Sequence, residues 1–295
     1  MSRAIMCSKE ILEKNLSDKI YIVTGTTSGI GLETVTQLAK QSATVICASR
    51  NIDLSKTIIN NIREKTNNDK ISFIHLDLNS LDSVREFVKQ FNNKFSRLDG
   101  LVNNAGVMHT RKQKTVDGFE LQFGVNYLSH FLLTELLIPK LKKSKDGRII
   151  HTSSVMHERT LVDLDDLNYE KRKYSRIDAY NQSKLAQVLY GRYQAKLLKK
   201  SNITSVSLHP GWVQTPLIKH TLPVFFQDVL LKPFLNTLVY SMSKKPLNQN
   251  TKFAEDFIKT FETDFIFNNE PQNRYKDLKS NLINSNSQKK QKLSD

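Results

Sequence analysis

Two cysteines in 295 residues are too few for a disulfide framework or a thiolate metal site, and they lie apart, Cys7 in a polar N-terminal segment and Cys47 inside an apolar strand pattern. A reducing compartment is expected. No apolar run reaches the roughly 18 residues that a membrane-crossing helix needs, and residues 1–19 hold no stretch resembling a secretory signal. The expected location is cytoplasmic, peripheral at most to an intracellular membrane, and not secreted. The histidines include no pair at helical ligand spacing beside a carboxylate, so no metal site is expected. His130, His151 and His209 read as packing or capping residues. Also missing is any basic motif interleaved with aromatics. The formal charge of +15 is spread over runs such as Lys142-Lys143, Lys171-Arg172-Lys173 and Lys199-Lys200, which argues against nucleic acid as a partner.

What is present suits one large α/β domain: 39% of the residues are hydrophobic, enough to bury a single sizeable core. Short apolar runs at Lys19–Val23, Ala43–Ser49, Ile71–Leu76, Asp99–Val102, Arg148–Ser154 and Ile203–Leu208 read as strands, and Phe265–Asn269 as a seventh. Helical spacing separates the first of them: Leu32, Val35, Leu38; then Leu54, Ile58, Ile62; then Leu81, Val84, Phe87, Val88, Phe91. A long helical pattern runs from Gly118 to Leu141. The alternation implies a Rossmann-like, doubly wound parallel sheet with helices on both faces, binding ligands at the carboxyl ends of its strands.

The chemistry-bearing residues fall at those ends. After the first strand comes Thr24-Gly25-Thr26-Thr27-Ser28-Gly29-Ile30-Gly31, opening the first long helix. Gly25 permits a sharp turn, Gly29 a close approach to a pyrophosphate, and Gly31 tight packing of helix on sheet, while the helix N-terminus offers unpaired N–H groups to an anion. Arg50 ends the second strand, about 20 positions beyond the glycine turn, where an adenosine ribose is met. A guanidinium there suits the 2′-phosphate of NADP, whereas NAD would favour a carboxylate. The nearest carboxylate, Asp53, reads as an N-terminal cap of the next helix. Further on, Tyr180 and Lys184 are four apart on a helical pattern and so share a face; an ammonium beside a phenol favours the phenolate and lowers its pKa.

These motifs, in this order and at these intervals, resemble the short-chain dehydrogenase/reductase family over about residues 18–216. The likeness is nearest to the retinol-dehydrogenase-like and WW-domain oxidoreductase branch, through Gly118-Phe119-Glu120, Asn126-Tyr127-Leu128 and Ala179–Leu185. The resemblance implies an NAD(P)-dependent enzyme acting on CH–OH or C=O groups. It places Thr27, Ser28, Ile30 and the three glycines around the cofactor, Asp77 and Leu78 at the adenine, and Asn104, Ala105 and Gly106 along the cofactor wall. It puts Pro210, Gly211, Val213 and Thr215 near the nicotinamide. It implies that Tyr180 transfers a proton, Ser154 rather than Ser153 holds the substrate oxygen, Lys184 tunes the tyrosine and binds ribose, and Asn126 maintains a helix distortion and a proton relay. Ser129 departs from the family's usual glycine.

The domain is expected over 18–278, after an N-terminal extension at 1–17 and before a disordered polar tail at 279–295. A lid is expected at about 213–250, its apolar part at Leu222–Met242. Expected partners are a lipophilic retinoid-, steroid- or lipid-like alcohol or carbonyl compound, a membrane surface touched through the lid, and a second copy in a homo-oligomer. The alternative is a non-catalytic nucleotide-sensing regulatory or scaffold protein on the same fold; the intact set of four catalytic residues weighs against it.

Overall fold

Successive residues along the central strands enter different cores. Ile22, Ile46, Leu101 and Ile149 join one buried cluster, while their neighbours Val23, Val45, Cys47 and Val102 join a second. A sheet apolar on both faces has to be covered on both. The computed structural model, which describes residues 8–210, shows how. Its strands are β1 (Ile20–Thr24), β2 (Thr44–Ser49), β3 (Ile71–His75), β4 (Gly100–Asn103), β5 (Gly147–Thr152) and β6 (Ile203–Leu208). All pair in parallel, in the order β3-β2-β1-β4-β5-β6. The expected seventh strand lies outside the described residues.

The helices are α1 (Lys9–Leu12), α2 (Gly29–Lys40), α3 (Ile52–Thr66), α4 (Leu81–Lys94), α5 (Leu121–Phe123), α6 (Ser129–Leu141) and α7 (Arg176–Leu197). Residues of α2 and α3 close the Val23 core, and those of α4, α6 and α7 close the Ile22 core. On α4 the stripe Leu81, Val84, Phe87, Val88 and Phe91 is buried, as its spacing requires. Side-chain oxygens start several of these helices, and on the three long ones Asn51 (α3), Ser80 (α4) and Ser175 (α7) each accept an amide of the first turn. Asn51, not Asp53, is therefore the cap of α3. The residue preceding the helix has the extended backbone a cap needs, and Asp53 lies within the first turn.

The single helix expected from Gly118 to Leu141 is broken into pieces. Gly118 has a φ of 87°, and Glu120 starts α5 by accepting from the amides of Gln122 and Phe123. A π-helical turn, Gly124–Leu128, then carries the chain into α6. β1 lies between β2 and β4, so chain connections leave in opposite directions at its carboxyl end. Such a switch point opens a crevice.

Candidate active site

The crevice is a cleft of about 830 Å³. Gly25, Thr27, Ser28, Gly29 and Ile30 form one wall, with Arg50, Asp77 and Leu78 beyond them. Asn104, Ala105 and Gly106 form the facing wall, and Ser154, Tyr180, Lys184 and Pro210 also line the cleft. Of the described residues expected at the site, all but Gly31 and Asn126 line this one cleft; Gly211, Val213 and Thr215 lie outside the described residues.

The glycine turn has the form of an anion cradle. Gly25 and Gly29 have φ of 71° and 56°, and a Cβ on Gly25 would come within 2.8 Å of the Ala105 Cα. Gly31 lies behind the turn, where a Cβ would meet the Gly25 carbonyl and stand 2.7 Å from the Asn104 Nδ2. Unlike α3, α4 and α7, α2 receives no side-chain capping bond from its N-cap, Ser28, and has no acidic residue in its first turn. Its first amides and the positive end of its dipole are left to a ligand, so the turn fits a pyrophosphate. Arg50 is exposed at the cleft edge and makes no ion pair among the described residues.

At the other end of the cleft, α7 presents Tyr180 and Lys184, both 4% exposed. The Lys184 Nζ stands 5.6 Å from the Tyr180 ring centroid and donates to the Thr152 carbonyl at 2.9 Å and to the Gln187 Oε1 at 3.0 Å. Burial pushes Tyr180 up to about 12, with a hydrogen bond from the Ser154 hydroxyl to its phenol oxygen as the offsetting influence. Burial also pulls Lys184 down to about 7. The lowered tyrosine expected from the Tyr180–Lys184 spacing is therefore reversed. Desolvation outweighs a lysine whose hydrogen bonds go to Thr152 and Gln187, and the phenol is held as an acid. Ser154, not Ser153, faces it. The Ser153 hydroxyl is turned into the protein, donating to the Lys184 carbonyl at 2.8 Å.

Asn126 lies in the π-helical turn behind this floor. Its Nδ2 donates to the Val107 carbonyl and to the Ser183 Oγ, both at 2.9 Å, and its Oδ1 accepts the Val107 amide at 2.8 Å. Ser183 in turn donates to the Tyr180 carbonyl at 2.7 Å. Both amide hydrogens and the oxygen have protein partners, so the side chain acts as a brace between the post-β4 wall and α7. Gly106 fits between them: a Cβ there would stand 3.1 Å from the Asn126 Oδ1 and 3.7 Å from the Lys184 Nζ.

Residues 19–223 match the short chain dehydrogenase family model. The chain belongs to the short-chain dehydrogenase family. It is 46% identical over 203 residues to human retinol dehydrogenase 13, a match covering 69% of this chain and 61% of that protein. To human polyprenol dehydrogenase it is 42% identical over 229 residues, covering 76% of this chain and 68% of the other. Among solved structures it is similar to a Pseudomonas aeruginosa RhlG/NADP active-site complex, with a TM-score of 0.58, 25% identity and coverage of 70% of this chain and 77% of that one. The chain thus spans about three fifths of the length of its retinol dehydrogenase 13 relative.

In this short-chain dehydrogenase further residues support the cleft, some of them unmarked by local sequence. Ser129, at the family's usual glycine, donates to the Leu78 carbonyl at 2.7 Å and so ties α6 to the cleft wall. The buried Thr24 hydroxyl accepts the Asn104 and Ala105 amides, each at 2.9 Å, and meets the His130 Nε2 at 2.9 Å. The other His130 nitrogen, Nδ1, faces the Asn126 carbonyl at 2.9 Å and must carry the proton there, since a carbonyl only accepts. Thr24 therefore donates to Nε2, and burial holds His130 neutral, down to about 3. His109 lies edge-on to Tyr180 with ring centroids 5.9 Å apart, its φ of 54° supported by an amide bond to the Gln122 Oε1 at 2.8 Å. The sequence signal for Gln187 was its i+3 spacing from Lys184; for Thr24, His130 and His109 local sequence carried none.

Proposed function

We propose that this protein is an NADP-dependent oxidoreductase that interconverts a lipophilic alcohol with its aldehyde or ketone. The observation that carries the reading is the meeting of Ser154, Tyr180 and Lys184 at one end of a cleft whose other end is an uncapped, glycine-walled helix N-terminus. A bound nicotinamide dinucleotide supplies or accepts the hydride. The α2 amides would hold its pyrophosphate, and Lys184 its nicotinamide ribose. Ser154 donates to the carbonyl oxygen and orients it. Tyr180, kept protonated by burial, delivers its hydroxyl proton to that oxygen as negative charge develops, which suits the reductive direction. Lys184 beside it stabilises the phenolate left behind. Asn126, through Val107 and Ser183, keeps wall and helix in register.

A lipophilic substrate is supported by apolar Val107, Met108, Leu121 and Val125 along the cleft, and by relatives named for retinol and polyprenol, two isoprenoid alcohols. NADP over NAD is supported by Arg50 at the end of β2 with Asp53 drawn into α3, and by the NADP bound in the RhlG structure. The test is oxidation of NADPH with long-chain isoprenoid aldehydes. Tyr180→Phe should bind NADPH normally but turn over at least about 10²-fold more slowly; near-normal turnover would overturn the mechanism. Arg50→Ala should weaken NADPH by about ten- to a hundredfold and leave NADH almost unchanged. Equal losses for both would refute the cofactor assignment.

A further inference from the structure

The Lys184 ammonium is buried and makes no ion pair among the described residues. Its two protein acceptors differ in kind. The Thr152 carbonyl ends β5 and would be there whatever side chain stood at that position. Gln187 is a choice of side chain. It lies one turn beyond Lys184 on α7, is 1% exposed, and points its Oε1 at Nζ from 3.0 Å. The orientation of the amide is fixed, because an ammonium only donates and so must face oxygen. Among the described residues its Nε2 then has no hydrogen-bond partner. An orphaned buried N–H is destabilising, and an apolar side chain would fill the space without one. A position that keeps the amide at this disadvantage keeps it for the oxygen.

We propose that Gln187 is a positioning residue of the active site: its Oε1 holds the Lys184 side chain charged and in place on the cleft floor before any ligand arrives. The inference rests on the oxidoreductase reading, in which ribose hydroxyls and the tyrosine need a cation at that point. Burial alone draws Lys184 down to about 7, so near neutral pH a single hydrogen bond decides how much ammonium survives. Tyr180 on its own helix and His130 on α6 feel this ammonium, and the elements packed against α7 also carry Tyr127 in the π-helical turn, His151 on β5, and His157, Glu158 and Arg159 in the 3-10 turn after β5. His130 and Lys184 are coupled through charge, but it is the Gln187 Oε1 that meets Nζ directly, at 3.0 Å, and Gln187 is the side chain whose replacement should move it.

The direct readout is the protonation of Lys184 itself in the cofactor-free protein, followed by NMR of lysine labelled with ¹⁵N at Nζ and assigned by the resonance lost in Lys184→Met. Gln187→Met, of similar length, should lower the titration midpoint by about one pH unit, the tenfold change expected from losing one hydrogen bond to a charged group. Gln187→Glu should raise it by about one unit or more, because an opposite charge favours the ammonium. In step, NADPH affinity at pH 7 measured by fluorescence should fall about five- to tenfold in Gln187→Met, and the lysine limb of the kcat profile should move with the midpoint. Movement in opposite directions in the two variants is beyond a merely structural role. If Gln187→Met fails to fold, Gln187→Glu decides alone. An unmoved midpoint, or one that moves the same way in both folded variants, overturns the proposal. A wild-type protein that binds no NADPH would instead count against the oxidoreductase reading, since the titration needs no cofactor.

Discussion

Two buried charges lie at opposite ends of the parallel sheet, and they are treated oppositely. Asp99, just ahead of β4 at the amino end, is 3% exposed. Its carboxylate accepts from the Ile20 amide at 2.9 Å, the Ser144 hydroxyl at 2.6 Å and the Arg97 Nε at 3.1 Å, with the Lys19 ammonium 3.9 Å away. Burial pushes its pKa up, but the bonds from Ser144, Ile20 and Arg97 together more than offset this, and it titrates below the ordinary carboxylate range. Lys184, beneath the carboxyl ends, has two neutral acceptors among the described residues and is pulled down to about 7. A charge that serves the fold is fully partnered by the fold. One left under-partnered, facing a cleft, has its partner elsewhere, and this contrast separates scaffold from site without reference to any motif.

The comparison can be broken most severely at the amino end. Asp99→Ala leaves the Ile20 amide and the Ser144 hydroxyl without their acceptor, at about 1–3 kcal/mol for each buried group, while part-exposed Arg97 keeps the Asp18 carbonyl and can turn to water. Urea unfolding should show that loss, while kcat of the molecules that remain folded stays close to wild type. A loss below about 1 kcal/mol would mean that water replaces the carboxylate there.

At the carboxyl end the same class of change should have the opposite sign. Lys184→Met removes a buried, under-partnered charge and should stabilise the fold at pH 7 by about 1–4 kcal/mol while abolishing turnover and weakening NADPH binding. The pH dependence follows. Because the folded lysine titrates near 7 and the unfolded one near 10.5, the unfolded chain holds the extra proton between those values, so wild-type stability should rise with pH across that window. Lys184→Met should remove that rise. A variant less stable than wild type at pH 7 would show that the two neutral acceptors already compensate the charge.

These contrasts also mark what could be read from the sequence. The glycine turn, the cofactor wall at Asn104–Gly106 and the Tyr180–Lys184 face are local patterns tied to strand ends and helix periodicity, and the cleft gathers them as such spacing requires. Choosing Ser154 over Ser153 needed the family likeness, since both are hydroxyls at one strand end. The fate of Asp53 turned on Asn51, two residues earlier, already in capping geometry. What local sequence could not give is long-range meeting: Thr24 and His130 touch across 106 residues, and Asn126 and Ser183 across 57. The direction of the tyrosine shift was missed for the same reason. It depends on how deeply α7 is buried, which a four-residue spacing does not state.

The smallest effect concerns acid, and it should loosen the site end of the sheet while Asp99 still holds the other. His130 and His151 are both buried and neutral, held down to about 3 and about 4 chiefly by desolvation. His151 is wired into the core, its Nε2 on the Gln194 Oε1 at 3.0 Å and its Nδ1 facing the Asn103 Nδ2 at 3.3 Å. Below the ordinary histidine value of 6.5 the unfolded chain takes up protons that these two folded imidazoles refuse, so stability must fall as pH falls. Each contributes a slope of about 1.4 kcal/mol per pH unit between roughly 6 and 4.5. His109 and His209, also lowered by burial, add to it. Asp99 has the opposite window: its depressed pKa gives stability that persists until the pH falls below the ordinary aspartate value of 3.8, so it contributes nothing to this limb. Urea unfolding at pH 6.0 and 5.0 should therefore differ by about 2 kcal/mol in wild type, the raised pKa values of buried Glu120 and of Asp117 offsetting part of the histidine slope. In His151→Gln, which can still bond Gln194, the difference should shrink by about 1.4 kcal/mol whatever the variant's absolute stability. An unchanged slope in that variant would mean that water reaches His151 and that the buried polar chain beside α7 opens before the sheet does.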